Sequence, residues 1–216
     1  MYSRWCIIYL SFHKSKKAMV VNMDRSMTIK YFRNIPTLYT DRMILRRILK
    51  TDYLDMFEYS SNPSVTKFLL WDAHTDERYT KRYLAYLQTR YHAGEFYDWA
   101  LVEKKYYKMI GTCGFTSFDF ENNSAEVGYV LNPRFWYAGL AAEALFEVMK
   151  FGFTVLELHR IEAKYMVGNE NSRRVMEKLG MRFEGIARES IFVKGKYVSV
   201  GTCAITRNDF FSIFSK

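Results

Sequence analysis

The chain has 216 residues, 49% hydrophobic and 18% aromatic, which is enough for one domain with a sizeable core. Its formal net charge is +9, but residues 1–34 hold seven Lys/Arg against the single acid Asp24, so the other 182 residues carry only +3. That distribution argues against nucleic acid as the partner of the body. No run of about eighteen apolar residues marks a membrane span, and three scattered cysteines (Cys6, Cys113, Cys203) suit a reduced, cytoplasmic chain without a metal site.

Residues 1–26 read as an N-terminal extension, disordered or accessory, because the apolar run at 5–10 is too short for a signal-peptide core. Residues 27–216 read as a single domain. A first strand is expected at 40–49, and a helix opens at 50–52 with Thr51 or Asp52 as its cap. Asn62-Pro63 breaks that helix, and a short helical piece follows at 65–70. A longer helix runs from a Thr75 cap to Tyr91 and stops at Gly94.

A meander follows, with strands at 98–103, 109–120 and 126–131. Leu140, Ala144, Leu145, Val148 and Phe151 keep the spacing of a helix face. Then come a strand at 159–166, a helix at 172–179 closed by Gly180, and two strands at 185–193 and 197–206. This order predicts an α/β (α+β) fold: a mixed sheet with helices on both faces.

The strand at 126–131 delivers a helix N-terminus through a small-residue loop, Ala138-Gly139-Leu140-Ala141. Unpaired helix amides and the positive end of the helix dipole suit a phosphate there, and small side chains let a diphosphate approach the backbone.

From Glu126 to Gly180 the residues resemble the GNAT acyl-CoA-dependent N-acetyltransferases, in the branch of ribosomal-protein N-terminal acetyltransferases. In that branch the phosphate motif is commonly Trp-Gly-x-Gly-x-Ala. Here Trp136, Gly139 and Ala141 match, while Tyr137 and Ala138 depart. The second block is more specific: Leu158-His159-Arg160-Ile161-Glu162-Ala163, then Asn169 with Ser172, then Glu177-Lys178-Leu179-Gly180-Met181. The resemblance spans residues 35–207 and implies a mostly antiparallel sheet that splays after the central strand to admit pantetheine.

The resemblance also implies roles. Acetyl-CoA is the cosubstrate, with no metal, and a primary amine attacks it directly in a ternary complex. Glu126 is the candidate general base, and Ser172 the candidate donor to the departing thiolate. The backbone of Val130 and Leu131 would pair with pantetheine, Asn169 would hydrogen-bond the arm, and the amides of Trp136, Tyr137, Ala138, Gly139, Leu140 and Ala141 would hold the diphosphate. Arg134, Arg173 or Arg174 are candidates for the 3′-phosphate. Phe68, Trp71, Tyr83 and Tyr86 are candidates for the acceptor cleft. The acceptor reads as a protein N-terminus, such as that of a ribosomal protein, or as a small molecule, a polyamine or aminoglycoside. A silent acyl-CoA-binding module is the competing class, and a homodimer is left open.

Overall fold

Strands that alternate in burial, such as Met43 and Leu45 against Ile44 and Arg46, can cover a core with one face only, and eight of them join into one sheet. The computed structural model describes residues 24–214; the expected extension at 1–26, apart from its last three residues, lies outside that range, as does Cys6. The elements are α1 (Arg25–Arg33), β1 (Leu38–Tyr39), β2 (Met43–Arg46), α2 (Tyr53–Ser60), α3 (Pro63–Thr66), α4 (Glu77–Ala93), β3 (Tyr97–Glu103), β4 (Lys108–Asp119), β5 (Ser124–Leu131), α5 (Leu140–Thr154), β6 (Arg160–Met166), α6 (Glu170–Lys178), β7 (Arg182–Val193), β8 (Lys196–Thr206) and α7 (Arg207–Phe214). The strand order is β1-β2-β3-β4-β5-β6-β8-β7, antiparallel throughout except for β5 with β6.

That parallel pair is short. Ser124 to Val127 pair with Arg160 to Ala163, after which β5 runs on to Leu131 and β6 on to Met166 without a common register. The expected splay is therefore present, and it opens a gap in the sheet beside Gly128, Tyr129, Val130 and Leu131. The two faces are covered separately. Trp99 on β3 stacks edge-on against Phe151 of α5 and Phe32 of α1, and its indole donates to Pro36 O at 2.6 Å. On the opposite face Tyr91 of α4 donates its hydroxyl to Asp98 O at 2.6 Å.

Several boundaries differ from expectation for local reasons. Asp76 caps α4 in place of Thr75, because its carboxylate accepts from Tyr79 N at 2.7 Å. The helical piece expected at 65–70 is α3, one turn earlier, with Asn62 accepting from Ser64 N and Pro63 at the first position. The strand expected at 40–49 shortens to β2, and Asp52 spends its carboxylate on Arg46 and on Leu49 N instead of capping α2. Helices α1 and α7 lie outside the expected element order. Gly94, at φ 73°, ends α4 as expected.

Candidate active site

Two cavities meet at the splay. One, of about 540 Å³, lies between the start of α5 and α6 and is lined by Val130, Leu131, Trp136, Tyr137, Gly139, Leu140, Ala141, Asn169 and Ser172. Nine of the ten residues expected to hold the cofactor thus line one cavity. The tenth, Ala138, turns its carbonyl outward to accept from Arg42 Nη1 at 2.8 Å.

The loop's shape follows from its residues. Asn132 accepts from Arg134 N at 3.1 Å and turns the chain out of β5 into a short 3₁₀ segment, Pro133–Phe135. The Trp136 indole donates to Leu131 O at 2.7 Å, which fixes the loop against the end of the strand. Tyr137 and Gly139 both adopt left-handed backbone angles, φ 61° and 78°. For Tyr137 that conformation costs on the order of 1 kcal/mol. Its ring stays outside the fold (86% exposed) and accepts from Asn171 Nδ2 at 3.2 Å.

Gly139 is the N-cap of α5 and carries no side chain to satisfy the first helical amides. A Cβ at Gly139 would stand 3.7 Å from Arg42 Nη2 and 3.9 Å from Lys178 Nζ. Arg42 is committed to Glu143, at 2.6 Å. Among the described residues Lys178 makes no ion pair, so an unpaired cation faces an uncapped helix start. These features fit a diphosphate. Of the arginines expected for the 3′-phosphate, Arg134 pairs with Glu58 and Arg173 with Glu177, whereas Arg174 lines the cavity. Nothing in the sequence marks Lys178 as a site residue, because a lysine at the last position of a helix is usually a favourable solvated charge.

Where the two cavities join, Tyr129 and Ser172 are in contact. The Tyr129 hydroxyl donates to Ser172 O at 2.8 Å and lies 2.9 Å from Ser172 Oγ. Burial pushes the Tyr129 phenol well above its ordinary range, so it stays protonated. Ser172 is not the helix cap: Asn169 caps α6 and accepts from Ser172 N at 3.3 Å. That contact occupies the Asn169 carboxamide oxygen and leaves the Ser172 hydroxyl unneeded for capping.

The second cavity, about 600 Å³, lies over the other face, beneath α2 and α4. Phe68, Trp71 and Tyr83 line it as expected; Tyr86 does not, being half-exposed and hydrogen-bonded to Arg90. Glu126 lines it at the junction, with Oε2 2.6 Å from Lys164 Nζ, and Lys164 also reaches Glu162 at 3.2 Å. His74 is held at Nδ1 by Ser60 Oγ at 2.9 Å and Thr80 Oγ1 at 2.8 Å, and burial lowers its pKa, favouring the neutral ring. Cys113 and Cys203 are buried, and burial pushes both thiols up, away from nucleophilic use. Among the described residues no group of side chains could hold a metal ion, and no helix is long and apolar enough to cross a membrane.

The acetyltransferase (GNAT) domain family matches residues 42–182. N-acetyltransferase p20 of Bacillus licheniformis is 32% identical over 174 residues, covering 81% of this chain and 98% of the relative. The ribosomal protein uS5-alanine N-acetyltransferase of Escherichia coli K12 is 24% identical, covering 83% of this chain and 96% of its own. A GNAT acetyltransferase structure from Bacillus anthracis superposes with a TM-score of 0.72 at 26% identity, over 80% of this chain and 99% of the other. The chain belongs to the GNAT acetyltransferase family. It is an N-acetyltransferase of a family that uses acetyl-CoA.

Proposed function

We propose that the protein transfers an acetyl group from acetyl-CoA to a primary amine by direct attack, with both substrates bound at once. The observation that carries this reading is the junction of two cavities at Tyr129 and Ser172, on the flank of the splay. One cavity has an uncapped helix start with Lys178 beside it; the other has apolar walls and carboxylates. A thioester whose diphosphate sits on the amides of 137–142, with the 3′-phosphate near Arg174, would lie with pantetheine along Val130, Leu131 and Asn169. Its sulfur would then reach Ser172.

The chain's own groups supply the remaining steps. Glu126 takes one proton from the bound ammonium through water, its carboxylate held by Lys164, which also pairs with Glu162. The amine lone pair attacks the acyl carbon, a C–N bond forms and the C–S bond breaks. The Ser172 hydroxyl turns from Tyr129 to hydrogen-bond the departing sulfur, which takes the second amine proton, while the Tyr129 bond to Ser172 O holds the residue in place. The residues 1–26 form an accessory extension to the catalytic domain in this reading.

A free-CoA release assay with acetyl-CoA and a panel of amines tests it. Amine-dependent release is expected. Saturable acetyl-CoA binding without turnover on any amine would identify a silent binding module instead.

A further inference from the structure

The acceptor cavity holds one carboxylate that nothing else uses. Asp98 sits on β3 in register with Gly114 of β4, and Gly114 is in register with Gly128 of β5. Residues paired across antiparallel strands point to the same face, so Asp98 looks along a lane that two successive glycines keep free of side chains. The lane runs from Asp98 to the last paired turn of β5, where the sheet splays. Its width is specific: a Cβ at Gly114 would collide with Asp98 Oδ1, and one at Gly128 would stand 2.9 Å from a Thr116 methyl.

Among the described residues no hydrogen bond or ion pair reaches the Asp98 carboxylate; Tyr91 binds only its backbone carbonyl. The groups that face it are Tyr59 from α2, Tyr83 and Tyr91 from α4, and Cys113 from β4, and burial pushes each of them above its ordinary range and so keeps it neutral. The other charges lining the cavity are Glu126 and Lys164, paired with each other, and Asp72, whose side chain is 89% exposed at the rim and 3.9 Å from Lys194. The walls are rings: Tyr59, Phe68, Trp71, Tyr83 and Phe96.

We infer that the acceptor is a monoamine carried on a flat apolar body, with its ammonium on the Asp98 carboxylate and its body between the aromatic walls. This rests on the acetyl-transfer reading above and narrows its acceptor. A half-buried carboxylate without a partner carries a desolvation cost, and a bound ammonium offsets it. Burial raises Asp98 to about 7, consistent with such a vacancy of charge. Ring faces add cation–π attraction for the same cation. A polyamine or aminoglycoside needs further buried carboxylates, and among the described residues lining this cavity the remaining acids, Glu126 and Asp72, already pair with Lys164 and Lys194. In the transfer step the ammonium, held by Asp98, gives one proton through water to Glu126; the nitrogen then bonds the acyl carbon, and its second proton leaves with the sulfur as thiol.

The test uses the full chain with acetyl-CoA and four acceptors: phenethylamine, spermidine, kanamycin and a peptide beginning with alanine. Phenethylamine should give a kcat/KM at least about tenfold above the others. Asp98→Asn should lower that value about 10–100-fold, chiefly through KM, with acetyl-CoA affinity unchanged. In the wild type, calorimetric titration of phenethylamine into the CoA-saturated protein should weaken between pH 8 and pH 6, as Asp98 takes up its proton. A peptide or polyamine preference, or an Asp98→Asn variant with unaltered KM, overturns the inference while leaving acetyl transfer standing. Failure of acetyl-CoA to bind at all would instead remove the reading beneath it.

Discussion

Ser172 and Tyr129 show how a residue's role can change once its partners are known. In sequence a serine ahead of two arginines reads equally well as a helix cap. The cap is Asn169, so the Ser172 hydroxyl is not spent on capping; it lies 2.9 Å from the Tyr129 hydroxyl at the cavity junction. Replacing Ser172 with alanine should therefore lower kcat about 10–100-fold while KM for acetyl-CoA moves less than about threefold. A fall in thermal stability with unchanged kcat would return Ser172 to a structural part. Asp98 is the opposite case, because nothing in the local sequence Tyr97-Asp98-Trp99 separates it from an ordinary strand acid. Only the pairing with Gly114 and Gly128, 16 and 30 residues away, reveals its position.

The same residue gives a pH signature for stability. An unfolded aspartate titrates near 3.9, whereas burial raises folded Asp98 to about 7. Below both values the two states are equally protonated and no penalty exists. As pH rises between them the unfolded chain ionises first, so stability falls, and above 7 the loss is complete at on the order of 2–4 kcal/mol. Asp98→Asn removes that loss. Its urea midpoint should exceed the wild-type value by more at pH 8 than at pH 4.5, and an equal difference at both would mean the carboxylate is solvated in the cavity.

At the scale of elements, what could be read in advance were the pieces with strong local chemistry. The 3.6-residue spacing from Leu140 fixed α5, and Gly94 and Gly180 marked helix ends. Less visible were elements defined by tertiary packing: α1, anchored by fully buried Phe32, and α7, anchored by Phe210. The phosphate loop was legible as a strand–loop–helix unit, but its cation was not, since Lys178 arrives from α6. Lys178→Ala should raise the Kd for CoA about 3–10-fold, with a smaller effect at high salt. An unchanged Kd at low ionic strength would show that the helix amides alone hold the diphosphate.

For the molecule as a whole, the sheet interruption is the feature that joins all the others. A continuous β5–β6 ladder would close both cavities at once; four paired residues followed by divergence leave the main-chain edge of 128–131 open to a ligand. That divergence has no signature in β5 or β6 alone, whose alternation is that of ordinary strands, which is why it entered the sequence reading only through family resemblance. In the proposed function residues 1–26 are accessory to catalysis. A chain lacking residues 1–23 should keep kcat/KM within about twofold, whereas one lacking residues 1–33 loses Phe32 and its ring contacts and should be destabilised by about 3–5 kcal/mol or more. Loss of activity on removing 1–23 alone would assign that segment to the catalytic unit.

The most direct measurement is a crystal structure of the protein with CoA bound. The expected result is diphosphate oxygens on the amides of 137–142 with Lys178 beside them, pantetheine in the gap next to Val130 and Leu131, and sulfur within hydrogen-bonding reach of Ser172. CoA bound elsewhere, or a gap left empty at saturating CoA, would contradict the loop, the splay and the acetyl-transfer reading together.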